Sequence, residues 1–305
     1  MNGSGWIDLQ VNGYFGVDFN SDDLTDRALI DVCQRLGEDG VAAILATVIT
    51  APLDAMIRRI SRLSQAIDRC PEVAQRLIGI HVEGPFINRT AGFVGAHPPD
   101  AVLPATVADA QRLIDAGDGK VRLLTLAPES DAGFATTRWL ADQGIVVAAG
   151  HSDASLDELR GAIDQGLKLY THLGNGCPMM MHRHDNIIQR VLRLADSLSI
   201  SFIADGHHIP LMTLANYLRL VPEENVIIVS DAISAAGLGP GEFQLGDQIV
   251  HVEPDGSTWG GDRSHFAGSA TTLPRMCEVL ESIGIAKPQI ERWLRDNPSQ
   301  LLGRS

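Results

Sequence analysis

LIGIHVEGP, residues 77–85, is the stretch on which the fold turns. It opens as a run of Leu and Ile, long enough for one strand, and then delivers His81 and Glu83 on either side of Val82. Alternation along a strand puts those two polar side chains on one face. An apolar strand that turns polar only at its carboxyl end is covered on both faces and opens onto a site at its tip. Seven further segments have the same length and mostly the same Val, Ile and Leu content: 6–12, 41–50, 121–128, 145–151, 167–174, 199–205 and 226–231. Helical patterns lie between them. Residues 52–70 space Met56, Ile60, Leu63 and Ile67 at three- and four-residue steps behind Pro52, a residue suited to a first turn. Residues 153–166 offer Ser155 as N-cap, Leu156, Leu159 and Ile163 as an apolar stripe, and Gly166 as a stop.

Strand and helix alternating eight times predict an α/β protein of the (β/α)8 or TIM-barrel class. The competing doubly wound sheet would carry a GxGxxG after its first strand, and none is present. No linker or low-complexity tract interrupts the 305 residues, so the expectation is one barrel domain over 1–305. Two elaborations are expected, 86–105 after the third strand and 242–265 after the eighth, the latter as a β-hairpin; helices follow at 270–283 and 289–300.

The formal net charge of −14 argues against nucleic acid or an anionic membrane surface as partner, because both require clustered cations. No apolar run approaches the ~18 residues of a membrane span, and the first residues lack a leader pattern. Cys33, Cys70, Cys177 and Cys277 show no CxxC spacing, which suggests reduced thiols rather than a disulfide framework. A cytoplasmic location is expected.

In a barrel of this class the chemistry sits at the carboxyl ends of the strands. There the sequence places Gln10 and Asn12, His81 and Glu83, His151, His172, Asp205 with His207 and His208, and Asp231. Glu83, His151 and His172 supply one carboxylate and two imidazoles, a set suited to a first-row divalent ion such as zinc with one position left for water. Asp231 is then the general base toward that water and the acid toward a leaving amine, which makes the expected reaction metal-assisted amide hydrolysis. A Schiff-base mechanism needs a lysine in the mouth, and Lys120, Lys168 and Lys287 fall elsewhere. No GxSxG elbow is present for a serine nucleophile.

The motifs IDLQVNG, GIHVEGPF, AAGHSDAS, THLGNG, IADGHH, IVSDAIS and FAGSATTL, in this order and closed by NPSQLLG at 297–303, resemble those of the N-acetylglucosamine-6-phosphate deacetylases, a branch of the amidohydrolase superfamily. The resemblance implies a metal-dependent TIM barrel that removes acetyl from an amino sugar. It implies Glu83, His151 and His172 as metal ligands and Asp231 as general base and acid. It further implies substrate contacts from His97 in GAHPP, from Asn175, and from His208 near the scissile carbonyl. Arg183 falls where the family places a phosphate-binding arginine that reaches into a neighbouring subunit, so a homodimer is expected. Two departures stand beside this. A bare barrel that starts at strand one is expected, lacking the family's usual small β-sandwich. Arg183 lies in HRHDN, residues 182–186, where the family usually reads HREPG. An unphosphorylated N-acyl amino sugar, another amide, or sugar-phosphate binding without catalysis are therefore the alternatives to N-acetylglucosamine 6-phosphate.

IDLQVNG also bears on metal number. Many amidohydrolases carry His-x-His at the end of the first strand to hold one ion of a pair; here Gln10 and Asn12 stand there, and neutral amides are poor zinc ligands beside imidazole and carboxylate. One divalent ion, Zn2+, is expected, with Gln10 and Asn12 hydrogen-bonding its surroundings.

Overall fold

The computed structural model describes residues 5–304 apart from Asp262 and Ser264. Eight parallel strands run in sequence order around one sheet: β1 (Trp6–Val11), β2 (Val41–Ile49), β3 (Leu77–Glu83), β4 (Val121–Leu126), β5 (Val146–Ala149), β6 (Leu167–Tyr170), β7 (Ser199–Ile203) and β8 (Val226–Val229). The sheet closes where Val11 bridges Ala232 and the Asn12 N–H donates to the Ala232 carbonyl at 2.7 Å. Both faces of the strands are buried, as their β-branched composition requires.

The helices form where their local signals predict. Leu53–Arg69 buries Met56, Ile60 and Leu63 against the barrel. Leu156–Asp164 begins with a capping box in which Ser155 and Glu158 satisfy each other's backbone N–H groups. Two expectations need correction. The insertion after β8 is a three-stranded antiparallel sheet, not a hairpin: β9 (Gly241–Leu245), β10 (Gln248–Val252) and β11 (Thr258–Gly260). A third strand forms because Thr258–Gly260 pairs back onto the free edge of β10. The helix expected over 289–300 is two α segments, Lys287–Glu291 and Asn297–Leu301, joined by a π turn over Arg292–Asp296. Pro298 has no N–H with which to continue the α-helical ladder. Segment 86–105 contains only the short 3-10 turn Pro99–Ala101 among the described elements.

The insertion is fastened to the barrel mouth. The Gly246 N–H between β9 and β10 donates to Asp18 at 2.6 Å, and the Gln248 amide donates to the Ala96 carbonyl, one residue before His97. The four cysteines are free; Cys33 and Cys277 are buried, and Cys70 and Cys177 half-buried. Among the described residues, no helix is long and apolar enough to cross a membrane.

Candidate active site

The site begins at the ends of the strands. Glu83 is the last residue of β3, while His151, His172 and Asp231 each lie two residues past β5, β6 and β8. Glu83, His151 and His172 are buried, and Asp231 is half-buried. His151, His172 and Asp231 adopt positive φ angles of 51°, 32° and 50°, a region that non-glycine residues visit rarely and that costs of order 1–3 kcal/mol each. Three such residues at one barrel end bend the chain where each strand stops, away from continued pairing with its neighbour.

The side chains converge on Glu83. Its Oε1 lies 2.9 Å from His172 Nε2 and 3.4 Å from His151 Nε2. Both imidazoles thus meet the same carboxylate oxygen. His151 Nδ1 is 2.8 Å from the Phe93 carbonyl, which can only accept; the proton is therefore on Nδ1 and Nε2 offers a lone pair toward Glu83. His172 Nδ1 is buried without a hydrogen-bond partner among the described residues.

His97 joins the same cluster. Glu83, His97 and His151 each bring a ligand atom within 4.8 Å of the others, and His97 Nε2 stands 3.3 Å from His151 Nε2 and 4.0 Å from Glu83 Oε2. Its other nitrogen decides what it offers. The Thr50 N–H donates to His97 Nδ1 at 3.3 Å, so a neutral ring carries its proton on Nε2 and faces the cluster as a donor. Burial, followed by the neighbouring His151, pushes His97 down to about 3 and keeps the ring neutral.

Gln10 and Asn12 are bound to the carboxylates. Gln10 Nε2 donates to Glu83 Oε1 at 3.1 Å and to Asp231 Oδ1 at 3.0 Å, while its Oε1 accepts from Thr171 at 2.8 Å. Asn12 Nδ2 donates to the same Asp231 oxygen at 2.7 Å. Both donors thus occupy Oδ1. Burial and the charge of Glu83 raise Asp231 to about 6, against the opposing pull of His172, His208 and the Asn12 hydrogen bond. Burial would raise Glu83 as well, but the adjacent imidazoles of His151 and His172 hold it well below the usual carboxylate range. His81, beneath Glu83, contacts Thr47 and Thr125 and is pushed down to about 4 by burial.

Of the other residues expected at the site, His208 follows β7 with its side chain buried and its Nδ1 2.7 Å from Asp205. Asn175 is half-buried and donates twice to the His172 carbonyl, from its backbone at 3.0 Å and from Nδ2 at 3.2 Å. Arg183 is exposed and makes no hydrogen bond or ion pair among the described residues; the single chain does not bring it into the cluster. Sequence reasoning missed the Phe93 carbonyl and the Thr50 N–H, main-chain atoms with no side-chain signature. It noted Asp205 only as one polar residue at a strand end.

No family model matches the chain. The N-acetylglucosamine-6-phosphate deacetylase of Mus musculus is 34% identical over 310 residues, covering 98% of this chain and 74% of the relative. The N-acetylgalactosamine-6-phosphate deacetylase of Escherichia coli O157:H7 is 28% identical over 304 residues, covering 98% and 77%. Among solved structures, the N-acetyl-D-glucosamine-6-phosphate deacetylase of Mycobacterium smegmatis, a mutant in complex with N-acetyl-D-glucosamine-6-phosphate, superposes with a TM-score of 0.86 at 27% identity, covering 99% of this chain and 78% of that one.

Proposed function

This chain belongs to the N-acetylglucosamine-6-phosphate deacetylase family, and from that premise we propose that it hydrolyses the acetamide of an N-acetylated amino sugar, N-acetylglucosamine 6-phosphate, to the free amine and acetate. The observation that carries the reading is the convergence of Glu83, His151 and His172 beside Asp231 at one end of the barrel. Glu83 Oε1 and the Nε2 atoms of His151 and His172 are the ligands in this reading, and zinc is the ion their chemistry suits. The ion supplies Lewis acidity toward the amide carbonyl and toward a water. His97 fits less well as a ligand, since its neutral tautomer presents a proton; it serves instead as a donor to substrate oxygen.

Asp231 carries the proton transfers. Gln10 and Asn12 hold Oδ1, which leaves Oδ2 to take a proton from the attacking water and return it to the departing amine. A carboxylate raised to about 6 is basic enough to accept that proton and still largely ionised at neutral pH. The same two amides support a single ion: where a second cation would need ligands, Gln10 and Asn12 present N–H donors already bound to carboxylates.

Asn175 borders the substrate through the loop that follows His172. Arg183 reads the 6-phosphate, and because it is exposed on its own chain the reading requires a homodimer in which it serves the neighbouring site. The domain over 1–305 is read as one barrel. The substrate class and four free cysteines go with a cytoplasmic enzyme.

The test is metal analysis of the purified protein followed by acetate release from N-acetylglucosamine with and without its 6-phosphate. One equivalent of zinc and turnover of the phosphorylated sugar are expected. A metal-loaded protein that releases acetate from neither sugar overturns the reading, and preference for the unphosphorylated sugar overturns the role of Arg183.

A further inference from the structure

Two of the sequence motifs, IADGHH and FAGSATTL, meet at a carboxylate for which amide hydrolysis by Asp231 has no need. Asp205, buried just past β7, uses both of its oxygens twice. Oδ1 accepts the backbone N–H groups of His207 and His208, each at 2.9 Å; Oδ2 accepts from His208 Nδ1 at 2.7 Å and from the Ser269 hydroxyl at 3.0 Å. The serine is itself fixed from three sides. Its hydroxyl accepts the Thr271 N–H at 3.1 Å, its own N–H donates to the Asp231 carbonyl at 2.9 Å, and its carbonyl accepts the Ile233 N–H at 3.1 Å. Ser269 thus ties the end of β8, where Asp231 stands, to the carboxylate that grips His208.

The two backbone contacts are what an aspartate does in any tight turn, and an asparagine would make them equally well. The contacts to His208 Nδ1 and Ser269 are not needed for that turn. With Nδ1 engaged on Asp205 and the ring packed against Phe266 at a centroid distance of 5.1 Å, Nε2 is the nitrogen left to meet a ligand. Among the described residues it makes no hydrogen bond.

Resting on the deacetylase reading, we propose that Asp205 is a positioning residue for that reaction: clamped by Ser269, it fixes the His208 ring so that a doubly protonated imidazolium offers Nε2–H to a substrate oxygen. The charged groups that act on His208 agree with this. Burial pushes its imidazole down, but the adjacent Asp205 and the charge of Asp231 outweigh burial and the opposing field of His172, and the net shift is upward. A cationic donor holds an oxygen about twice as strongly as a neutral one. The substrate must then present an acceptor to this corner, a requirement met by a sugar hydroxyl or an amide carbonyl and not by an apolar group.

Asp205→Asn separates the charge from the turn. The amide oxygen keeps the two backbone hydrogen bonds, whereas the amide N–H donates to Nδ1 and favours a neutral His208 ring with its proton on Nε2. NMR titration of the zinc-loaded, histidine-labelled protein, with the His208 signal assigned by its loss in His208→Gln, reads this without substrate. The wild-type midpoint is expected above the ordinary value of about 6.5, and in Asp205→Asn at or below it, with zinc content unchanged. In turnover, kcat/KM of Asp205→Asn is expected to fall about tenfold, and the alkaline limb that His208 sets in the wild type to disappear. A wild-type His208 that titrates at or below about 6.5, or an alkaline limb unchanged in Asp205→Asn, overturns the proposal. Absence of acetate release by the wild-type protein strikes the deacetylase reading instead, and leaves the NMR result standing on its own.

Discussion

The loop after β3 and the loop after β6 both border the barrel mouth, and they are built in opposite ways. The first, over 84–105, buries Phe86, Ile87, Phe93, Val94 and Val102, takes a main-chain grip on His151 through Phe93, and is tied to β10 through Ala96. The second, over 177–186, leaves Met179 at 99% and Met180 at 89% exposure and carries Arg183 into solvent. Apolar side chains that bare are not held by their own chain. The half of the site that would bind metal and move protons is finished within one polypeptide, with rings and carboxylates locked by secondary contacts; the half that would read the distal end of the substrate is not. Catalytic geometry tolerates little play, whereas recognition can be completed by a second copy.

The finished half is the easier to break. Glu83→Gln removes the one carboxylate shared by His151, His172 and Gln10; bound metal is expected to drop below stoichiometric and activity to fall by more than about 10⁴-fold, read by elemental analysis beside turnover. Asp231→Asn keeps the Glu83 cluster and removes only the proton acceptor, so full metal content with a loss of about 10³-fold in kcat is expected. Equal loss of metal in both variants would mean that Asp231 is a ligand, not a base.

A third change probes how tightly the barrel interior is packed around charge. Asp8 lies below Gln10, its carboxylate accepting the Gln10 and Ser230 N–H groups at 3.2 Å, and burial raises it to about 7. A carboxyl raised above its unfolded value gives stability that is complete below the unfolded value of 3.8 and is lost as pH rises through about 7. Asp8→Asn keeps the acceptor and abolishes the titration. In chelator, its melting temperature is expected to match the wild type near pH 4 and exceed it at pH 8, by at most about 4 kcal/mol of stability. A variant less stable than wild type at pH 8 would show that the ionised carboxylate is wanted there.

Most of this was legible in the sequence for a physical reason. Polar residues gather at the carboxyl ends of strands that are otherwise mostly apolar, so the alternation that announces the barrel also points to Glu83, His151, His172 and Asp231. What could not be read lies in main-chain atoms and backbone angles. The Thr50 N–H that makes His97 a donor and the Phe93 carbonyl that makes His151 an acceptor belong to residues whose side chains carry no sign of it. The positive φ of His151, His172 and Asp231 is likewise imposed by the turn, against the preference of the residue. The third strand at Thr258–Gly260 has no signature in the sequence because three residues are too few for an alternation to register.

The unfinished half gives the smallest effect and the most discriminating one. Arg183→Ala is expected to raise KM for the 6-phosphate about tenfold, about 1.4 kcal/mol, to leave kcat unchanged, and to leave the unphosphorylated sugar unaffected, because an exposed arginine that only reads phosphate adds uniform binding. The loss by itself does not say whose site the residue serves. Mixing Arg183→Ala subunits with Asp231→Asn subunits does. If Arg183 acts across a dimer, each hybrid contains one site with Asp231 from one chain and Arg183 from the other, and turnover with the wild-type KM returns on mixing. If it acts within its own chain, no site in the mixture holds both residues, and KM stays at the raised value however long the subunits exchange.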